Sequence, residues 1–152
     1  MTEQLIGKIL VVDDEIELKN ALVEGLLKRS FEAHGYTSGH EALEALRVET
    51  FDLLISDLMM PEMDGITLIK AALEIDPRLV ALIMTGQGTI QTSVEAENVG
   101  VFDYILKPFR LQNLMPTLTR AISARRSRNG SETNGDGDDH HATRQVSEKL
   151  DP

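Results

Sequence analysis

Residues 8–15 of the 152-residue chain read KILVVDDE, a short strand-like run that ends in three consecutive carboxylates. Lys8–Val12 is apolar after its first residue, rich in β-branched side chains and unbroken by further polar groups. This pattern is typical of a strand that is buried on both faces of a parallel sheet. The stretch therefore predicts an α/β protein whose first strand ends in acidic groups.

The rest of residues 5–126 alternates between short strand patterns and longer helical patterns. Apolar residues spaced by three and four follow the first strand and indicate a helix, and Ser38 with Glu41 forms a capping box that begins the second helix. Further strands are predicted at 31–36, 51–56, 79–84 and 102–106, and later helices through 68–73, 89–99 and 111–125. Five strand–helix pairs, (βα)5, predict a doubly wound parallel sheet of five strands with helices on both faces.

Pro116 interrupts the pattern of the fifth predicted helix, which starts at Leu111. Proline has no backbone N–H, and inside a helix it removes a hydrogen bond. Two interpretations stay open at this point. Either the helix begins later than Leu111, or it bends at Pro116.

The composition excludes several kinds of protein. The chain has 25 acidic and 15 basic residues, a net charge of −10, and no cysteine. Disulfide frameworks, thiolate metal sites and cysteine nucleophiles are therefore excluded. An acidic chain repels nucleic acid, so its charge favours either solubility alone or the binding of a cation or a basic partner. Because no targeting segment or membrane-spanning apolar run is evident, we expect a cytoplasmic protein without membrane contact.

The character of the sequence changes near Arg126. Residues 127–152 are rich in Gly, Asn, Asp, Ser and Thr and contain almost no large apolar side chains. This composition is typical of a disordered tail or linker. We therefore predict one folded domain at 1–126, with its core at about 7–124, and a polar tail at 127–152.

Chemically active side chains stand where the predicted strands end. Asp13 and Asp14 follow strand one, Asp57 ends strand three, Thr85 ends strand four and Lys107 follows strand five. If the strands take the order 2-1-3-4-5, these ends lie side by side. Grouped carboxylates suit Mg²⁺, and a carboxylate such as Asp57 can attack a phosphoryl group whose charge Lys107 and the metal would neutralise.

Three of these features also have a simpler interpretation when each is considered alone. Asp13 and Asp14 can act as a helix N-cap, the segment from Asp57 to Gly65 can be a turn, and Lys107-Pro108 can be an exposed loop. Their coincidence at one edge of the predicted sheet favours a functional site over three unrelated features.

Four segments closely resemble the receiver domains of two-component response regulators, and the resemblance covers about residues 7–124. The segments are 11–15 (VVDDE), 57–65 (DLMMPEMDG), 84–86 (MTG) and 102–109 (FDYILKPF). The resemblance implies a flavodoxin-like fold with sheet order 2-1-3-4-5. It also implies that Asp57 accepts a phosphoryl group from the phosphohistidine of a histidine kinase or phosphotransfer protein.

The resemblance implies roles for further residues. Mg²⁺, or Mn²⁺ as a substitute, would be held by Asp14 directly, by Asp13 largely through water, by the Asp57 carboxylate and by the backbone carbonyl of Met59. A switch pair is implied at Thr85 and Tyr104, and a cis peptide is implied at Lys107–Pro108. Met59 and Gln87 flank the approach of an attacking water, where they would influence the lifetime of the acyl phosphate.

The partners implied are the phosphoryl donor and a downstream protein or missing output domain that contacts helix 4, strand 5 and helix 5. The resemblance also allows for a homodimer through this surface that depends on phosphorylation, as is common in the family. Two alternatives stay open: the chain is the front part of a larger multidomain regulator or hybrid kinase, or it is an aspartate-nucleophile phosphatase of the haloacid dehalogenase type. In the receiver interpretation no external substrate is turned over, and the domain itself does not bind nucleic acid.

Overall fold

The computed structural model describes residues 4–86 and 90–134, with side chains described for 4–86 and 94–129. Five strands alternate with five helices along the chain. The strands are β1 (Lys8–Val12), β2 (Glu32–Tyr36), β3 (Leu53–Asp57), β4 (Val80–Thr85) and β5 (Asp103–Leu106). The helices are α1 (Ile16–Leu27), α2 (Gly39–Val48), α3 (Gly65–Ile75), α4 (Ile90–Val99) and α5 (Leu111–Asn134).

All five strands form one parallel sheet in the order β2-β1-β3-β4-β5. The register pairs Val12 with Ser56 and Ser56 with Ile83, so β1, β3 and β4 end at nearly the same level. The predicted fold class and strand order are therefore confirmed. This order also places the ends of β1, β3 and β4 next to one another.

Helices cover both faces of the sheet, and the side chains of β1 alternate between two cores. Ile9 and Val11 belong to the cluster that is completed by α1 and α5, whereas Leu10 and Val12 belong to the cluster completed by α2, α3 and α4. All four side chains are fully buried. Because both faces of β1 are covered, its sequence shows an unbroken apolar run instead of an alternation of apolar and polar residues.

Helix α2 begins as the capping box predicts. The Ser38 side chain accepts a hydrogen bond from the backbone N–H of Glu41 at 3.2 Å. This bond satisfies one of the backbone donors that the first turn of a helix leaves without a partner.

Helix α5 differs from its prediction at its end and not at its start. It begins at Leu111, so the interpretation that it begins later is wrong, and Pro116 lies inside it. It continues to Asn134 instead of ending at Arg125, so the helix includes residues 127–134 of the predicted tail or linker. Arg128 explains part of the extension, since its side chain donates a 2.6 Å hydrogen bond to the Leu79 carbonyl. Residues 135–152 lie outside the described part of the chain.

Arg125 joins α5 to the edge of the sheet at which the strands begin. Its side chain is buried, with Nε 3.4 Å from Asp52 Oδ1 and Nη2 3.4 Å from Asp76 Oδ2. Asp52 immediately precedes β3, and Asp76 caps the end of α3. A buried guanidinium requires opposite charge nearby, and these two carboxylates supply it. Arg125 thus links α5, β3 and α3.

Within the described residues, no helix is both long and apolar enough to cross a membrane.

Removing Arg125 should destabilise the domain far more than removing its exposed neighbour Arg126. We expect Arg125→Ala to lower the free energy of unfolding by about 3 kcal/mol, because it leaves a cavity and two carboxylates without their cation. Arg126→Ala removes a cation one residue along the same helix and should change the free energy by less than about 0.5 kcal/mol. Urea denaturation followed by circular dichroism compares the two variants, and equal losses would contradict the role assigned to Arg125.

Candidate functional site

Three carboxylates converge where β1 and β3 end. Asp13 is fully buried, Asp57 is buried at the last position of β3, and Asp14 is exposed. Each of the three offers a carboxylate oxygen, and these oxygens all lie within 4.8 Å of one another. The strand order brings the first two into one place, because β1 and β3 are adjacent and parallel.

Lys107, which follows the edge strand β5, supplies the opposite charge. Its Nζ lies 3.1 Å from Asp13 Oδ2, 3.1 Å from Asp57 Oδ1 and 3.2 Å from Glu15 Oε1. The backbone holds this side chain in place, since the Lys107 N–H donates to the Thr85 carbonyl at 2.8 Å. The Lys107–Pro108 peptide bond is cis.

The charges in this group alter one another's ionisation. Burial raises the pKa of Asp57 above its ordinary value, and repulsion from Asp13 and Asp14 adds to this, although the Lys107 contact acts in the opposite direction. Burial alone would lower the pKa of Lys107, but its contacts with Asp13, Asp57 and Glu15 outweigh that effect and raise the pKa. Lys107 therefore stays charged, and it offsets only part of the carboxylate repulsion.

The site has the chemical character of a divalent-metal site. Asp13 Oδ2 is buried and makes no hydrogen bond of normal geometry within the described residues, although it lies 3.1 Å from the Lys107 ammonium. A buried carboxylate oxygen in this condition is stabilised by a cation. Hard cations such as Mg²⁺ take oxygen ligands, and the carboxylate oxygens of Asp13, Asp14 and Asp57 are close enough together to hold one such ion.

The interpretation of Asp13 and Asp14 as a helix cap is wrong. Glu15 occupies the N-cap position of α1, and no side-chain hydrogen bond caps the helix within the described residues. The Asp13 side chain instead accepts a hydrogen bond from the Glu15 N–H at 2.9 Å, which fixes the turn after β1. Helix α3, in contrast, has a side-chain cap, because the Asp64 carboxylate accepts a hydrogen bond from the Thr67 N–H at 2.8 Å.

Gly65 allows α3 to begin directly against the strand that ends in Asp57. Its N–H donates to the Leu58 carbonyl at 2.8 Å, and a Cβ at this position would lie 2.3 Å from the Asp57 carbonyl oxygen. Both neighbouring groups are backbone and cannot rotate away. The backbone of Asp57 is therefore packed against the start of α3.

The two residues expected to form a switch pair lie on neighbouring strands. Thr85 is buried at the last position of β4, and Tyr104 is half-buried in β5, where it packs against the core cluster on the α3 and α4 face. Met59, expected to offer its backbone carbonyl to a metal, lies in the loop after β3 with an exposed side chain. Gln87 lies outside the described residues.

Glu15 is a site residue whose role the sequence does not reveal. Its carboxylate accepts a hydrogen bond from Lys107 Nζ at 3.2 Å across a sequence separation of 92 residues. The sequence feature that points to Glu15 is its position as the third consecutive acidic residue after β1. Its contact with Lys107 depends on the tertiary structure, which brings the residues that follow β1 and β5 together.

The chain matches the response regulator receiver domain family over residues 9–119. The chain belongs to this family. The receiver resemblance is thereby confirmed, and the match favours a receiver domain over the phosphatase alternative.

Relatives and solved structures agree with this assignment. The domain is 39% identical over 115 residues to the transcriptional regulatory protein ZraR of Escherichia coli K12, covering 76% of this chain and 26% of ZraR. It is 35% identical over 118 residues to the C4-dicarboxylate transport transcriptional regulatory protein DctD of Rhizobium meliloti, covering 78% and 26%. The chain thus spans about a quarter of the length of the curated relatives it matches.

Two solved structures illustrate the shared receiver fold. Vibrio cholerae chemotaxis protein CheY4 superposes with a TM-score of 0.73 at 30% identity, covering 76% of this chain and 98% of CheY4. The beryllofluoride-activated NtrC4 receiver domain dimer superposes with a TM-score of 0.73 at 27% identity, covering 78% and 98%.

The close approach at Gly65 predicts that even one added methyl group is harmful there. Gly65→Ala should lower the free energy of unfolding by about 2 kcal/mol, because its Cβ forces the start of α3 away from the Asp57 backbone. Gly86→Ala is the matched control beside Thr85, since its Cβ would meet none of the described heavy atoms within 4 Å. Thermal unfolding of both variants is the measurement. A Gly65→Ala protein as stable as the control would show that the contact is not as tight as described.

Proposed function

We propose that this receiver domain accepts a phosphoryl group on Asp57 in a metal-dependent reaction and thereby switches a protein-binding surface. The observation that carries the proposal is the convergence of Asp57 with two further aspartates and the Lys107 ammonium at one sheet edge. The donor is the phosphohistidine of a histidine kinase or of a phosphotransfer protein. The domain promotes its own phosphorylation and turns over no other substrate.

The chemistry follows from the Asp57 carboxylate. One of its oxygens attacks the phosphorus of the donor and a P–O bond forms. The P–N bond to the donor imidazole breaks, and the departing ring nitrogen takes up a proton from water. The product is an acyl phosphate on Asp57. Lys107 Nζ, 3.1 Å from Asp57 Oδ1, is placed to pair with a phosphoryl oxygen, and Thr85 ends the adjacent strand β4.

A bound Mg²⁺, or Mn²⁺ in its place, supplies positive charge that offsets the charge on the phosphoryl oxygens. Asp13, Asp14 and Asp57 would hold the ion, together with the Met59 backbone carbonyl. The buried Asp13 oxygen without a hydrogen bond supports this assignment. The same ion would relieve the repulsion that, with burial, raises the pKa of Asp57.

The output is a change at the face formed by α4, β5 and α5. A phosphoryl group adds about −1.5 to −2 charge next to Thr85, which moves toward it and leaves space for Tyr104 to rotate inward. Tyr104 is half-buried, so an inward rotation would bury more of its ring. The NtrC4 receiver described as a beryllofluoride-activated dimer supports a phosphorylation-dependent homodimer here as well.

The downstream element is proposed to be an output domain in a longer regulator. The curated relatives ZraR and DctD are transcriptional regulatory proteins, and the match accounts for 26% of each. A stand-alone receiver that contacts a separate protein is the second candidate, supported by the likeness to the chemotaxis protein CheY4, of which the match covers 98%.

The phosphoacceptor assignment predicts a covalent change at one residue. Incubation with acetyl phosphate and Mg²⁺ should add the mass of one phosphoryl group to the wild-type protein and none to Asp57→Asn. Asp64→Asn is the matched control, because it removes a nearby carboxylate while Asn still caps α3. Intact-protein mass spectrometry gives the answer. A wild type without the added mass, or an Asp57→Asn protein that gains it, would overturn the proposal.

The metal assignment predicts a stabilisation that depends on Asp14. Mg²⁺ at ten times its dissociation constant should raise the unfolding free energy of the wild type by about 1.4 kcal/mol. Asp14→Asn removes an exposed ligand without disturbing the core and should abolish most of this gain. Thermal unfolding with and without Mg²⁺ measures the effect, and an undiminished gain in Asp14→Asn would exclude Asp14 as a ligand.

A further inference from the structure

We propose that Glu15 is a positioning residue that holds the Lys107 side chain in the unphosphorylated site and competes with the incoming phosphoryl group for it. The inference rests on the proposed phosphorylation of Asp57. It concerns a contact of Lys107 that the proposed metal site at the three aspartates does not require. The contact is the 3.2 Å hydrogen bond from Lys107 Nζ to Glu15 Oε1.

The crowding of oxygens around the Lys107 ammonium creates the competition. Three carboxylate oxygens, from Asp13, Asp57 and Glu15, already lie within 3.2 Å of Nζ. A phosphoryl oxygen that pairs with Lys107 must therefore share the ammonium with these oxygens or replace one of them. Asp13 and Asp57 are buried, and their positions are set by β1 and β3.

Glu15 is the contact that is released most easily. Its side chain is 66% exposed, whereas those of Asp13 and Asp57 are 0% and 9% exposed. A carboxylate exposed to this degree regains its hydration when it leaves Lys107, so its release costs little. A buried carboxylate would lose its partner without gaining water.

The position of Glu15 on α1 supports a role directed at Lys107. It occupies the N-cap position, where Ser, Thr, Asp and Asn are favoured because their side chains bond to the first turn. The Glu15 side chain makes no such bond among the described residues, and it reaches the Lys107 ammonium instead. The residue thus forgoes a helix cap and contacts the cation of the site.

Three variants separate a direct contact from a general effect of negative charge. Glu15→Gln removes the charge but keeps the length. Glu15→Asp keeps the charge but shortens the side chain by one methylene and withdraws it from Lys107. Glu17→Gln removes an acidic residue in the first turn of the same helix and is the matched control.

The experiment measures the phosphorylation rate of each protein by mass spectrometry over a range of acetyl phosphate concentrations at fixed Mg²⁺. We expect Glu15→Gln and Glu15→Asp to lower the half-saturating concentration by about two- to fivefold while the maximal rate stays near that of wild type. Glu17→Gln should match wild type. This split between half-saturation and maximal rate is one that a merely structural role for Glu15 would not produce.

The outcomes are distinct. If Glu15→Asp behaves like wild type and Glu15→Gln does not, the charge acts through the general field and the positioning role is overturned. If neither variant differs from Glu17→Gln, the role is overturned while the phosphorylation of Asp57 stands. If wild type gains no phosphoryl group at all, the proposed function fails and this inference fails with it.

Discussion

The repulsion between carboxylates gathered at one edge of the sheet is the constraint around which this domain is organised. Asp13 and Asp57 are buried side by side, with Asp14 within 4.8 Å, and Lys107 offsets only part of their charge. Such a group would not persist in a loosely packed loop, because the carboxylates would separate into water. The parallel strands β1 and β3 hold the two buried members at fixed spacing, and the proposed metal site depends on this spacing.

The rest of the fold serves this arrangement in identifiable ways. The β2-β1-β3-β4-β5 order places the Asp57 strand in the centre of the sheet and brings Lys107 to the site from the far edge. Gly65 lets α3 begin against the Asp57 backbone. At the other end of the strands, where they begin, Arg125 is buried between Asp52 and Asp76. The two ends of the strands use cations differently: Arg125 is held in a structural link, whereas Lys107 is proposed to change partners.

Local signals in the sequence predicted most of the elements, and the failures have a common cause. The helix start predicted at Ser38 is confirmed, and its signal was readable because Ser38 and Glu41 bond within one turn of the chain. The end of α5 was predicted too early, since Arg128 bonds to Leu79 from a distant part of the chain and polar composition alone does not reveal this. The contact of Asp13 with Lys107 is likewise not evident from local signals, because the two residues are far apart in the chain.

The amino-acid sequence alone determined the alternation of strands and helices and the identity of the charged groups at the strand ends. These follow from apolar periodicity and residue chemistry, which are properties of short segments. Only the tertiary structure decided that Glu15 contacts Lys107, that Asp13 Oδ2 is buried without a hydrogen bond, and that Arg125 is enclosed by two aspartates. Contacts between groups far apart in the chain depend on strand order and register, which no single segment encodes.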